Sequence, residues 1–177
     1  MTESGPYPSW KFYPSRSPAP PWVTGVVAAF ASAAIDSRVN DGVGSDAALA
    51  AVRPALITQG FEVEKSKVHA DKITRPVLFG EQGSIMVQYD VDAFHPGHQA
   101  VLEVEAGRGA ASNADYRDLV RASLMVDVRY LILAVMLSYR GGGQEVRSYE
   151  ASRARLDAIY ASDRLSLPLD GVLLVGY

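Results

Sequence analysis

Four acids crowd the middle of the chain. Asp90 and Asp92 lie in "IMVQYDVDAF" (85–94), and Glu103 and Glu105 lie in "AVLEVE" (100–105). Strand alternation places Glu103 and Glu105 on one face, about 6.6 Å apart along the strand. It likewise groups Met86, Gln88, Asp90 and Asp92 on one face of the preceding segment. Between them, "HPGHQ" offers Pro96 and Gly97 as turn residues, so the two segments are expected to pair antiparallel. A turn centred there sets Asp90 nearly opposite Glu103, with Asp92 as its diagonal neighbour. Opposed like charges destabilise a sheet, and burial makes the repulsion worse. A cation between the carboxylates removes the difficulty. Magnesium, a hard divalent ion, takes oxygen ligands at about 2.1 Å. The plainer reading is acids decorating a solvated sheet face. Context favours the first, because a helix and a strongly apolar strand follow and place the acids mid-domain.

The elements that must position these residues are legible from their periodicities. "WVTGVVAAFASAAIDS" (22–37) predicts a first helix. A second runs from a cap at Ser45 or Asp46 to about Gln59, where Gly60 ends it. "FEVE" (61–64) and "PVLF" (76–79) read as short strands, and 85–94 as a long one. Residues 112–127 predict a helix capped by Ser112 or Asn113. "YLILAVML" (130–137) predicts a strand covered on both faces. After the flexible "RGGGQ" come an amphipathic helix (148–162) and a closing strand (171–177). The expected fold class is α/β, a mixed central sheet with antiparallel acid-bearing strands, flanked by helices.

The 177 residues suit one domain with its own core. Six of the ten prolines fall within residues 1–21, which predicts an extended, weakly ordered arm before a single domain of residues 22–177. Trp10, Phe12 and Tyr13 are expected to pin that arm to the domain or to a partner, including a second copy in a homodimer. A net charge of −3 gives no global basic excess for a polyanion. The absence of cysteine excludes disulfides and thiolate metal sites. The start lacks a signal-peptide pattern, and the longest apolar run, Val23 to Ile35, is too short to span a bilayer. The expected location is the cytoplasm, with no membrane partner. Four lysines against thirteen arginines, with many alanines, hint at a GC-rich bacterial genome.

Asp92 followed after a turn by Glu103-Val104-Glu105 resembles the PD-(D/E)XK, or restriction-endonuclease-like, nuclease superfamily. The resemblance covers roughly residues 46–140. "YDVDAFHPGHQAVLEVEAGRG" also looks like a bacterial group of such proteins without assigned function. The family core runs helix, three antiparallel strands, helix, strand, with an Asp on one strand and Glu-x-Lys on the next. Here Glu105 stands where the family has Lys, as in certain type II restriction enzymes, and the Pro before the Asp is absent. The resemblance implies a magnesium-dependent DNA endonuclease of a restriction or defence system, with manganese as a substitute ion. It assigns Asp92, Glu103 and Glu105 to catalysis, and Asp92 and Glu103 to the metal with Asp90 in reserve. A non-catalytic member that binds nucleic acid or protein is the alternative, and an ordinary interaction domain is the third.

Cations that could meet DNA phosphates are Lys65 and Lys67 in "VEKSKVHADK", Arg108 in "AGRGAASN", and Arg117 and Arg121 one helical turn apart. Each has a plainer role: a solvated loop for the lysines, a connector for Arg108, and pairing with Asp118 and other acids for the last two. His95 and His98 have metal-compatible spacing but are more ordinarily exposed turn residues. "GGG" (141–143) lacks the following Lys-Ser/Thr of a phosphate loop. No helix-turn-helix, zinc-finger or aromatic RNA-binding signature is present.

Overall fold

The computed structural model describes residues 5–40, 43–106, 113–141, 144–162 and 164–177. The fold is mixed α/β: a six-stranded mixed sheet with four helices among the described residues. The sheet comprises β1 (Ser9–Tyr13), β2 (Glu62–Val63), β5 (Ala93–His95), β6 (Ala100–Glu105), β7 (Tyr130–Val135) and β10 (Gly171–Gly176), in the order β1-β10-β7-β6-β5-β2. Strands β6, β7 and β10 run parallel, while β1, β5 and β2 pair antiparallel with their neighbours. Two hairpins stand apart, β3 (Ile73–Phe79) with β4 (Ile85–Val91), and β8 (Tyr139–Gly141) with β9 (Gln144–Val146).

Helices α1 (Trp22–Ser32) and α2 (Ser45–Thr58) cover one face of the sheet, burying Val26, Phe30, Val52 and Leu56 against Leu102, Ile132 and Leu173. Helices α3 (Ala114–Leu124) and α4 (Ser148–Ala161) cover the other, where Leu119 and Leu156 meet Leu131, Leu133 and Leu174. Strand β7 is apolar throughout because it is buried on both sides, as its continuous run predicts.

Several expectations are corrected. The first helix stops at Ser32 because Ala34 adopts a left-handed φ of 52° and turns the chain. Gly60, at φ 94°, reverses the chain after α2 as expected. The Pro-rich arm is not all loose: Ser9–Tyr13 forms the edge strand β1, with Phe12 and Tyr13 buried. Tyr13 donates its hydroxyl proton to Asp157, which also holds Lys11 at 2.6 Å. Of "RGGGQ", expected as a flexible loop, Arg140 and Gly141 belong to β8 and Gln144 to β9, while Gly142 and Gly143 lie outside the described residues. The long strand of 85–94 breaks at Asp92: β4 pairs with β3, and β5 joins the main sheet.

Candidate functional site

Asp92 marks the break for a physical reason. Its Oδ2 accepts the backbone N–H of Val104 at 2.8 Å, so a side chain replaces the carbonyl that a continuing strand would offer. The Asp92 carbonyl meanwhile accepts the N–H of Glu64 at 2.8 Å. The β5–β6 register pairs Ala93 with Leu102, so its continuation sets Asp92, and not Asp90, opposite Glu103. Opposed residues share a sheet face. On β6 that face is the one carrying Val101, towards α3, while Leu102 and Val104 point to α1 and α2.

The acids therefore sit under α3, at the carboxyl ends of the parallel strands, where Glu105 aligns with Val135. Ligand sites of open α/β sheets form at strand carboxyl ends. A cleft of about 320 Å³ opens there, lined by Glu64, Asp90, Asp92, Glu103, Glu105 and four cations. Lys67 and Lys72 reach Glu64 at 3.1 and 3.4 Å, and Lys72 also holds Asp90 at 3.3 Å. Arg117 binds Glu105 at 2.5 Å and Asp118 at 2.9 Å. Arg121 lies 4.0 Å from Glu103, donates to the Asp90 carbonyl at 2.5 Å and stacks over Tyr89.

Glu103 is the most exceptional of these side chains. It is 7% exposed, and its Oε1 has no hydrogen-bond partner among the described residues. A buried polar oxygen left unpaired costs about 1–3 kcal/mol. Burial first, then Asp92 and Asp118, hold its carboxyl well above the usual carboxylate range, against the pull of Arg121. Burial also raises Asp92, opposed by the Val104 N–H and by Lys67. Glu105 is pushed up to about 7 by burial and by a hydrogen bond shared with Asp118. Arg117 lowers it, but that guanidinium is more than half exposed and its charge is screened by water.

Five lining carboxyl groups face four cations, and because burial favours the protonated forms of Asp92, Glu103 and Glu105 the cleft carries less negative charge than that count gives. Among the described residues, no group of three or more His, Asp or Glu side chains is arranged to hold a metal ion. The donors that fit a hard cation are the pair Asp92 and Glu103: oxygen ligands, buried, with one oxygen lacking a hydrogen bond among the described residues. A pair is compatible with magnesium, which is commonly held by one or two carboxylates plus water and substrate phosphate. Asp90 is drawn to Lys72 at the cleft rim, and Glu105 is tied to Arg117.

Of the expected phosphate contacts, Lys65 and Lys67 are exposed, with Lys67 at the cleft and paired with Asp46 and Glu64. Arg117 and Arg121, at the cleft, pair with acids. Arg108 lies outside the described residues. His95 and His98 form no metal pair. His95 is bonded through one ring nitrogen to the Gln59 carbonyl at 2.9 Å and accepts the His98 N–H on the other, and the two rings stack at 4.0 Å. Sequence reasoning passed over Glu64 and the 1%-exposed Asp118. A signal existed for the second: buried Asp115, Asp118, Leu119 and Ala122 follow the i, i+3, i+4, i+7 pattern of an inward helix face.

The chain matches no protein-family model, no curated protein and no solved structure. No helix among the described residues is long and apolar enough to cross a membrane.

Proposed function

We propose that the chain is a metal-dependent nuclease with a restriction-endonuclease-like core, hydrolysing DNA phosphodiester bonds at the acid cleft. The observation that carries this reading is the buried, opposed pair Asp92 and Glu103, with a Glu103 carboxylate oxygen that has no hydrogen-bond partner among the described residues. The order α2, β2, β5, β6, α3, β7 supports it, being helix, three antiparallel strands, helix and parallel strand. The β3–β4 hairpin is then an insertion between the first two strands.

Magnesium held by Asp92 and Glu103, with manganese as a substitute, would supply a Lewis acid for the phosphate and lower the pKa of water. The remaining side chains have assignable tasks. Val104 N–H fixes the Asp92 carboxylate. Glu105 orients attacking water, and Arg117 and Arg121 bring positive charge to a site whose motif has Glu in place of Lys. Lys65, Lys67 and Arg108 are the proposed contacts to the DNA backbone.

One observation favours a non-catalytic member of the same fold: Glu105 is already engaged by Arg117 and Asp118. The deciding experiment is cleavage of single- and double-stranded DNA and RNA with magnesium or manganese. Wild type should cut, and Asp92→Asn and Glu103→Gln should each lose about a hundredfold or more. DNA binding without cleavage under either metal selects the non-catalytic reading. Failure both to bind and to cut rejects both.

A further inference from the structure

The β3–β4 hairpin spreads apolar side chains into solvent. Leu78, Phe79, Ile85, Met86 and Val87 at its outer end are all between 37% and 65% exposed. The register pairs Leu78 with Val87 and Phe79 with Ile85, so these exposed groups are grouped across the two strands. Helix α3 continues the surface. Tyr116, Val120 and Leu124 recur every fourth residue along it and are exposed, as is Val126 just beyond its end. The two parts are fastened together: Val126 N–H donates to the Pro76 carbonyl at 3.1 Å, and Arg75 is ion-paired with Asp127.

The size and charge of this surface select the occupant. At roughly 80 Å² each, the eight half-exposed large side chains other than Met86, which strand alternation turns to the opposite face of the hairpin, present roughly 640 Å², approaching the ~800 Å² per partner of a standard protein interface. An apolar patch of that extent marks an interaction site. From Pro76 to Tyr89 the only charge is Glu81, so neither nucleic acid nor an anionic lipid surface finds cations there. Among the described residues each hairpin strand has a single ladder neighbour, which leaves one edge of β4 without a strand partner, and Arg121 bonds the Asp90 carbonyl at the strand's inner end. Pro76 blunts β3, whereas β4 has no proline along Ile85–Val91. A strand edge paired antiparallel with its own copy obeys a two-fold axis, the symmetry of most dimers.

We propose that this face docks a second copy of the chain, the β4 edges of the two hairpins pairing antiparallel and the apolar tips packing against the α3 stripes. The proposal does not depend on the nuclease reading, because its contacts lie at the outer end of the hairpin and on the α3 stripe, away from the cleft-lining Asp90 and Val91 at the inner end of β4.

The test measures mass in solution by sedimentation equilibrium over a dilution series of the full chain. Wild type should be a dimer. Ile85→Lys and Val120→Lys, both at exposed positions and checked for folding by circular dichroism, should be monomers. The chain has no cysteine, so single cysteines placed in turn at Ile85, Met86, Val87 and Gln88 report proximity cleanly. At least one should form an intermolecular disulfide on mild oxidation, since facing Cα atoms in an antiparallel pair lie about 4.5–5.5 Å apart. Ala154→Cys, exposed on α4, should not. A monomeric wild type, a dimer that survives both lysine variants, or cross-linking equal to that at residue 154 would overturn the proposal.

Discussion

Glu105 ties the chemistry of the cleft to its stability. Its carboxyl titrates at about 7 in the folded chain, against an ordinary value of 4.5. Between those values the folded state holds a proton that the unfolded state has released. Without metal, stability therefore falls as pH rises from about 4.5 through about 7 and stays low above it. The full effect is on the order of 3 kcal/mol. Glu105→Gln removes the titration and keeps a donor for Asp118. In chelator the variant should melt higher than wild type at pH 8 and near it at pH 4.5, which thermal scans at the two values will check. A second residue-level expectation concerns Asp92. Asn retains an oxygen for the Val104 N–H and Ala does not, so Asp92→Ala should cost about 1 kcal/mol more than Asp92→Asn in urea unfolding. The pairing of acids with a turn was legible from spacing, but their register was not. A turn centred on Pro96-Gly97 sets Asp90 opposite Glu103, but the connection runs over residues 96–99 with His95 paired to Ala100, which moves the opposition to Asp92. Alternation along 85–94 was equally blind to the break in the strand at Asp92. Asp118 was hidden for a related reason: beside Arg117 and Arg121 an acid reads as surface pairing, whereas here it is buried and held between them and Glu105.

Among the elements, those with long uniform patterns were the most legible. Strand β6 spans Ala100–Glu105 as its sequence predicts, and α2 and α4 lie close to their expected limits. Strand β1 was obscured by composition, since Pro8 and Pro14 flank it and few apolar residues mark it. Its contribution is nonetheless large. Tyr13 is fully buried, stacks on Tyr160 and bonds Asp157 and the Arg153 carbonyl. Tyr13→Ala should cost about 3–5 kcal/mol, measured by denaturant unfolding, where a merely tethered arm would show almost no change.

For the whole molecule, the proposed nuclease reading couples metal, nucleic acid and fold. A cation that binds the folded state alone stabilises it by about 2.7 kcal/mol at a hundred times its dissociation constant. Magnesium should therefore raise the wild-type melting temperature above pH 7, and Glu103→Gln should abolish the rise. DNA affinity should behave differently. Asp92→Ala and Glu103→Ala remove acids, and no cation, from the cleft and should bind DNA at least as well as wild type. Lys67→Ala should bind more weakly, with a shallower dependence on salt, readable by fluorescence anisotropy over a salt series.

The stack of Trp22, His98 and His95 gives the molecule an optical gauge of its own. Trp22 lies face-on to His98 at 5.4 Å and edge-on to Tyr130 at 5.3 Å. His98 belongs to the turn that joins β5 to β6, so the indole senses whether the acid-bearing hairpin is closed. Desolvation and the neighbouring His95 hold His98 below its ordinary titration range, which keeps the imidazole neutral at physiological pH. A protonated imidazole quenches indole emission by accepting an electron, and a neutral one does so far less. Tryptophan fluorescence should thus dim only on acidification below the ordinary histidine value. The unlabelled protein can report hairpin formation in real time, with Trp10→Phe removing the half-exposed second indole from the signal.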